Sequence, residues 1–145
     1  VRLLKNQLKN CQFPIIIAGK NPTEHLIETV QLFKNIQLIS NPTHEDLETL
    51  IQNAHINIIF SEIETGVKLK LINTSFLGRF CFTNQAAVIG SELQNATILV
   101  NENDIEQQIK DYFQQEFTTE ILTERIKYLS LYNNKDNALQ IINNL

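Results

Sequence analysis

The stretch IIFSEIETGVKLKLINTSFLGRFCF, residues 58–82, predicts a strand, a turn, a helix and a second strand in close succession. Residues 58–60 (IIF) have the apolar character of the end of a buried strand, and residues 80–82 (FCF) begin another. Between them we expect Gly66 to open a helix and Gly78 to close it. The stretch therefore predicts an α/β unit with a glycine turn at the end of a strand.

The expected helix of residues 66–77 carries one polar stripe. Gly66, Lys70 and Asn73 stand at positions i, i+4 and i+7, so in a helix they share one face. The other positions are mostly apolar, as expected for a helix that packs on a sheet. A phosphate at the start of this helix would meet free backbone N–H groups and the positive end of the helix dipole. The pattern predicts an anion site at Gly66, with Lys70 one turn further along.

Length and composition indicate one domain that does not bind nucleic acid. A chain of 145 residues with 43% hydrophobic content is long enough for a single core. The net charge of −4 argues against a general nucleic-acid binder, which needs a basic surface. No apolar run approaches the roughly 18 residues of a membrane span. The two cysteines and three histidines lack metal-ligand spacing, so we expect reduced thiols, a cytoplasmic location, no metal and no cofactor.

Short apolar runs alternate with amphipathic segments along the chain, which is typical of a parallel sheet with helices on both faces. Every link between runs is long enough for a crossover helix, so the sequence predicts a Rossmann-like α/β fold with parallel strands. The expected strands are residues 14–18, 36–39, 56–60, 80–83 and 96–100. The expected helices are residues 1–10, two that begin near Thr23 and Thr43, 66–77, one from Asn101 or Asn103 to Phe113, 118–131 and 136–144.

Loops at the carboxyl ends of parallel strands line the ligand crevice of such folds. Lys20, Ser40, Asn41 and Ser61 directly follow expected strands and are candidates for ligand contact. For each candidate a simpler interpretation stays open. Lys20 and Lys70 also fit solvated side chains, and Gly66 fits a helix start that binds nothing.

Three segments resemble the C-terminal, donor-binding domain of GT-B glycosyltransferases of the group 1, retaining, family 4-like type. They are GKNPTEHL, SNPTHEDLETLIQNAHINIIF and TGVKLKLINTSFLGRFCFTN, and the resemblance covers nearly the whole chain. The family's pair of glutamates, eight residues apart, falls here on Thr65 and Asn73, and the neighbouring Glu64 can take the first role if the loop shifts by one residue. The resemblance implies that Asn73 holds a ribose hydroxyl and that the Ser40–Asn41 turn borders the base.

The resemblance implies a metal-independent enzyme that moves a sugar from a nucleotide-diphosphate sugar to an acceptor hydroxyl, in polysaccharide or glycan biosynthesis. It implies a glycan or lipid-linked acceptor, held by an N-terminal domain outside this chain. We therefore expect residues 1–145 to be one donor-binding domain, without that partner domain and without its own first strand, and inactive when isolated. No catalytic residue is assigned. The full-length protein is expected in the cytoplasm, with peripheral association at the inner face of the membrane also open.

Two alternatives belong to other functional classes. The first is a non-enzymatic interaction module of flavodoxin-like or receiver-like shape. A receiver needs an acidic cluster after its first strand and an aspartate after its third, whereas Gly19–Lys20 and Ser61–Glu62 stand there. The second is a nicotinamide-dependent enzyme, which needs a G-x-G-x-x-G motif that the chain lacks.

Overall fold

The computed structural model of this chain describes residues 1–66 and 68–133. Strands and helices alternate through most of this part. In chain order the elements are α1 Arg2–Asn6, β1 Ile15–Gly19, α2 Glu24–Gln31, β2 Ile36–Ser40, α3 His44–Asn53, β3 Ile56–Ile59, α4 Leu69–Leu77, β4 Phe80–Thr83, α5 Gln85–Val88, β5 Ile98–Leu99, α6 Ile105–Phe113 and α7 Thr119–Leu129. The helix expected at residues 136–144 lies outside the described residues.

All the described strand pairs are parallel. β1 pairs with β2 in one sheet, from Ile15 opposite Ile36 to Gly19 opposite Ser40. β4 lies between β3 and β5 in the second sheet. The prediction of an α/β fold with parallel strands is confirmed, because all three strand pairs are parallel and a helix lies between each strand and the next along the chain. The strands form two separate sheets in the described part of the chain, instead of the single sheet that the sequence suggested.

Helices cover both faces of the second sheet, as the sequence predicted. All four residues of β4 are buried, and successive side chains of a strand point to opposite faces. Phe80 and Phe82 join one hydrophobic cluster with residues of α1 and α6, whereas Cys81 joins another with residues of α4 and α7. Both cysteines are free thiols in buried positions. Burial raises the pKa of Cys81 to about 12, so this thiol stays protonated.

Two element bounds differ from the sequence prediction for local reasons. The fifth strand is shorter than residues 96–100, because the chain first makes a 3-10 turn at Leu93–Asn95 and the Thr97 hydroxyl donates to the carbonyl of Leu93 at 2.9 Å. The first helix ends at Asn6, not at residue 10, since the backbone leaves the helical ladder after Gln7. Neither change alters which side of the sheet the flanking helices cover.

A buried arginine fastens α7 to the end of α4. The Arg125 guanidinium donates to the carbonyl of Ser75 at 3.2 Å, to that of Gly78 at 2.7 Å and to that of Arg79. It also lies over the ring of Phe117, 4.8 Å from the centroid. Burial lowers the pKa of Arg125 below its ordinary value, yet at neutral pH the group remains a cation. The carbonyl of Ser75 in the last turn of α4 and those of the two residues just after the helix therefore share a charged donor.

Candidate functional site

The candidate site lies where the parallel strands end, and the first two strands end in tightly held turns. The backbone N–H of Asn21 donates to the Asn41 side-chain oxygen at 2.8 Å, and the N–H of Asn41 donates to the carbonyl of Gly19 at 2.8 Å. Both asparagines have left-handed backbone angles, with φ of 49° and 55°. Asparagine is one of the few residues that adopt this conformation readily. Lys20 and Ser40 are exposed beside this pair.

At the ends of β3 and β4, Asn84 bridges the two loops. Its side-chain oxygen accepts from the N–H of Ser61 at 3.0 Å and from that of Ala87 at 3.2 Å, and its amide nitrogen donates to the Ser61 carbonyl at 2.7 Å. Asn84 thus starts α5 and fixes the beginning of the loop after β3. The Ser61 hydroxyl donates to the carbonyl of Ile63 at 2.9 Å. Sequence reasoning missed Asn84, although a capping residue directly after a buried strand was a usable signal.

The loop after β3 contains Glu64, Thr65 and Gly66, all exposed. The Lys68 ammonium donates to the carbonyl of Thr65 and, at 2.8 Å, to that of Gly66. Gly66 has a φ of +73°, which belongs to the left-handed region and not to a right-handed helix. The prediction that Gly66 opens the helix is therefore wrong, since α4 begins at Leu69.

Because Gly66 precedes the helix, it does not share a helical stripe with Lys70 and Asn73. Lys70 lies in the first turn of α4 and is exposed. Asn73, one turn further on, is also exposed and lines a groove of about 480 Å³. The other residues of that groove are His44, Glu48, Leu69, Ile72, Phe76, Leu77 and Tyr132. The groove runs along α4 from its first residue, Leu69, to its last, Leu77, and the end at His44 and Leu69 lies at the carboxyl edge of the strands.

The start of α4 differs from those of the helices that follow β1, β2 and β4. Side chains of Thr23, Thr43 and Asn84 accept backbone N–H groups at the starts of α2, α3 and α5. The N-cap of α4 is Lys68, whose side chain makes no capping bond, and the first turn contains no acidic residue. Among the described residues no side chain accepts a hydrogen bond from the N–H groups of Leu69 or Lys70. Among the described residues, the positive end of the α4 dipole thus has neither a capping side chain nor an acidic residue of its own first turn.

A second opening lies at the end of β3, toward α1. This cleft has a volume of about 280 Å³ and is lined by Val1, Arg2, Leu3, Phe60, Ser61, Glu62, Asn84 and Glu102. A single guanidinium nitrogen of Arg2, Nη2, donates to both carboxylate oxygens of Glu102, at 3.0 Å and 2.8 Å. Arg2 is largely solvent-exposed, so this pair adds little stability.

Among residues 1–66 and 68–133, no three histidine, cysteine, aspartate or glutamate side chains gather where they could bind a metal ion. Across the same residues, none of the helices combines the length and the apolar character that crossing a membrane requires.

Comparison with known proteins finds a likeness in structure and none in sequence. No protein-family model matches this chain, and no curated protein sequence matches it. The chain is similar in structure to an alpha,alpha-trehalose 6-phosphate synthase from Burkholderia multivorans, with a TM-score of 0.62 and 12% sequence identity over 90% of this chain. The chain spans about a third, 34%, of the length of that protein. At this identity the likeness shows the fold alone, which is a glycosyltransferase-like, Rossmann-type α/β fold.

Proposed function

We propose that this chain is the donor-binding part of a glycosyltransferase and that it binds a nucleotide-diphosphate sugar at the start of α4. The observation that carries the proposal is the uncapped beginning of this helix. The helices that follow β1, β2 and β4 each have a side chain that accepts a backbone N–H group of the first turn, whereas α4 has no such cap among the described residues. Free N–H groups at a helix start are a common phosphate site in α/β folds.

The diphosphate supplies the hydrogen-bond acceptors and the negative charge that no capping side chain provides at the start of α4. Its oxygens accept from the N–H groups of Leu69 and Lys70, and the Lys70 ammonium adds a positive charge on the exposed side. Gly66 leaves the approach clear, because the space beside its Cα holds no other atom within 4 Å of where a Cβ would lie, and glycine places no side chain there. Lys68 is committed to the carbonyls of Thr65 and Gly66, so its role is to shape the loop.

The remaining parts of the donor fall on side chains that surround this helix start. In the proposed complex Asn73 hydrogen-bonds a ribose hydroxyl, and the Ser40–Asn41 turn borders the base. Since the Asn41 side-chain oxygen already accepts from Asn21, Ser40 provides the free polar group of that turn. Thr65 and the exposed Glu64 face the sugar, whereas Ser61 positions the loop through its bonds to Asn84. Lys20 is the outermost of the proposed contacts.

During sugar transfer the bond from the anomeric carbon to the diphosphate breaks, and negative charge builds on the leaving group. A preorganised helix start and a lysine stabilise that charge without a metal ion, which is electrostatic stabilisation of the transition state. We propose a retaining, metal-independent reaction in the biosynthesis of a glycan or polysaccharide. The acceptor, a glycan or a lipid-linked sugar, is held by a separate domain, so the isolated chain binds the donor without turnover.

NMR titration of the ¹⁵N-labelled chain with UDP, GDP and ADP sugars tests the proposal. We expect a diphosphate donor to shift the amide signals of Leu69 and Lys70 first. A CMP sugar, which has a single phosphate, is the ligand control and binds more weakly. Lys70→Ala is expected to weaken binding by about 1–2 kcal/mol, the range of a partly solvated charge-assisted contact. Gly66→Val is expected to block the approach of the phosphate.

Lys34→Ala is the matched control, because Lys34 lies just before β2 at the opposite edge of the sheet and should leave binding unchanged. Wild-type affinity in both Lys70→Ala and Gly66→Val, or amide shifts confined to another loop, would show that the ligand does not bind at α4. No shift with any of the four nucleotide sugars would contradict the donor-binding function itself.

A further inference from the structure

A tight turn, residues 89–92, follows α5 and is anchored by the buried Ser91. The N–H of Ser91 donates to the carbonyl of Val88 at 3.0 Å, and its hydroxyl donates to the same carbonyl at 2.7 Å. Gly90 and Glu92, on either side of Ser91, have left-handed backbone angles, with φ of 79° and 49°. Ser91 itself is only 1% exposed. The position of this turn relative to α5 is therefore fixed by the chain itself.

The turn of residues 89–92 lies against the loop after β3. The carbonyl carbon of Gly66 is 4.0 Å from the position that a Cβ of Gly90 would occupy, so the two backbones meet at residues that both lack a side chain. The Cβ position of Gly66 itself faces open space, so its contact with Gly90 is made through the carbonyl group. The Lys68 ammonium donates to the oxygen of the same carbonyl group at 2.8 Å. Gly90 and Lys68 therefore both contact the part of the loop that leads toward α4.

The hydroxyl of Tyr132 ties this turn to the end of α7. It donates to the carbonyl of Ser91, across 41 positions of the sequence. Tyr132 belongs to a 3-10 turn, Ser130–Tyr132, that directly follows α7. Burial, and then the negative charge of Glu92, raise the pKa of Tyr132 above its ordinary value, so the hydroxyl keeps its proton at neutral pH. The Ser91 carbonyl therefore has a donor throughout the neutral pH range.

The ring of Tyr132 connects this hydrogen bond with the groove beside α4. The ring packs against the hydrophobic cluster that includes Leu71 of α4 and Leu129 of α7. Tyr132 also lines the groove of about 480 Å³, together with Leu69 and Asn73. One side chain thus reaches from the groove beside α4 to the turn that meets the loop after β3.

We propose that Tyr132 is a positioning residue for the donor site. Its hydroxyl holds the turn of residues 89–92 against Gly66 and so fixes the loop that precedes α4 for the diphosphate. This role rests on the proposed function, since it takes the start of α4 as the phosphate site. Glu64, Thr65 and Gly66 are exposed, so this loop has little packing of its own to fix its shape. A loop that is already in place binds a ligand more tightly, because ordering a loop on binding costs affinity.

Removal of a single oxygen atom tests this role. Tyr132→Phe deletes the hydroxyl and keeps the ring. Tyr128→Phe is the matched control, because Tyr128 packs against the same cluster but its hydroxyl bonds the exposed Glu124, at 3.5 Å. In ¹⁵N-labelled chains without ligand, we expect Tyr132→Phe to shift the amide signals of Gly66 and Gly90, and Tyr128→Phe to leave both in place. Unchanged signals of the two glycines in Tyr132→Phe would overturn the proposal.

Titration with UDP-glucose, GDP-mannose and ADP-glucose gives the functional readout. For the nucleotide sugar that the wild type binds most tightly, we expect Tyr132→Phe to raise the dissociation constant about three- to tenfold, the effect of losing one hydrogen bond. Tyr128→Phe should bind like the wild type. 4-Aminophenylalanine at position 132, whose amino group also donates a hydrogen bond, should restore most of the lost affinity. Failure of this amino variant to restore binding would count against the hydrogen bond and overturn the proposal.

The outcomes separate positioning from a purely structural role and from donor binding itself. A bond that only stabilises the fold would lower the urea midpoint of Tyr132→Phe and leave the dissociation constant, measured without urea, unchanged. That result overturns the positioning role alone. If the wild type binds none of the three nucleotide sugars, the donor-binding function fails and the positioning role fails with it. If Tyr132→Phe does not fold, nuclear Overhauser contacts between Gly66 and Gly90 in the wild type and in the amino variant, with equal affinity of the two, support the proposal, and their absence overturns it.

Discussion

The two ends of α4 differ in whether a side chain binds their backbone groups. At its carboxyl end the buried Arg125 donates to the carbonyls of Ser75, Gly78 and Arg79, and Gly78 packs without room for a side chain. At its amino end no side chain caps the helix, and the glycine nearby, Gly66, has open space around it. A side chain of the protein binds the carbonyls at the carboxyl end, whereas no side chain caps the amino end in the described structure.

The charges at the two ends strengthen the contrast. A cation at the carboxyl end of a helix is favourable, and Arg125 is placed there. Cations near the amino end are unfavourable for the helix, yet Lys68 and Lys70 stand in that position. The start of α3 shows the usual arrangement, with Glu45 and Asp46 in its first turn. The basic residues at the start of α4 therefore do not stabilise the helix. Basic residues at this position are, however, what an anion site would require.

The largest effect on stability is expected from removing Arg125, the donor at the carboxyl end of α4. Arg125→Ala leaves three carbonyls without their partner, and we expect it to lower the free energy of unfolding by about 2–4 kcal/mol. Urea denaturation measures the loss. Arg2→Ala is the control, since its exposed ion pair with Glu102 should contribute less than about 1 kcal/mol. Equal losses of stability for the two substitutions would show that the bonds of Arg125 contribute no more than an exposed ion pair.

The two glycines test the contrast in packing. In Gly78→Ala the new Cβ would lie 2.5 Å from the Asn57 amide nitrogen and 2.9 Å from the Thr74 carbonyl, and we expect a loss of about 1–3 kcal/mol. Gly66→Ala meets no neighbour, so only its φ of +73° opposes the substitution, at a cost of about 1 kcal/mol. Thermal unfolding of both variants provides the comparison. A larger loss for Gly66→Ala would mean that the open loop is more constrained than its surroundings indicate.

A pair of charge reversals tests the amino end of α4. Lys70 in α4 and Glu45 in α3 each stand second in their helix. Lys70→Glu should stabilise the chain by about 0.5 kcal/mol, and Glu45→Lys should destabilise it by a similar amount, because both act on the helix dipole. Lys70→Glu should nevertheless weaken diphosphate binding more than Lys70→Ala does. Chemical denaturation and NMR titration measure the two properties. A lower stability of Lys70→Glu would show that Lys70 stabilises the helix, against this expectation.

The smallest expected effect is the pH dependence of the α3 start. Hydrogen bonds from the Thr43 side chain and then its backbone lower the pKa of Asp46 below its ordinary 3.8. The folded-state pKa is the lower one, so this contribution is present above pH 3.8 and is lost as the pH falls through the folded value. Urea midpoints measured from pH about 5 downward should therefore fall more steeply in the wild type than in Asp46→Asn. Parallel curves for the two proteins would contradict this.

Much of the fold could be predicted from the sequence, because buried parallel strands are short apolar runs with helices between them. Residues 14–18 and 36–39 were predicted within one residue of β1 and β2. The separation into two sheets could not be predicted, since strand pairing depends on contacts between distant residues. The burial of Arg125 was also hidden, because an arginine on an amphipathic helix usually faces solvent.

The candidate site was predictable in place and less so in detail. The loop after β3 follows from the position of residues 61–66 between a strand and a helix. The helix start was placed three residues early, because a glycine suits both a helix start and a left-handed turn, and only the φ of Gly66 separates the two. The contacts of the nucleotide with Lys70 and Asn73 stay predictions.

The bonds of Arg125 also bear on the order in which the chain folds. They join residues 46 to 50 positions apart in the sequence, so closing this loop costs conformational entropy before the bonds are gained. The pairing of β1 with β2 needs only the short excursion through α2. During synthesis the first pair of strands can therefore assemble before Arg125 is available to bind the carboxyl end of α4. We expect α4 to reach full protection from hydrogen exchange only after α7 has left the ribosome.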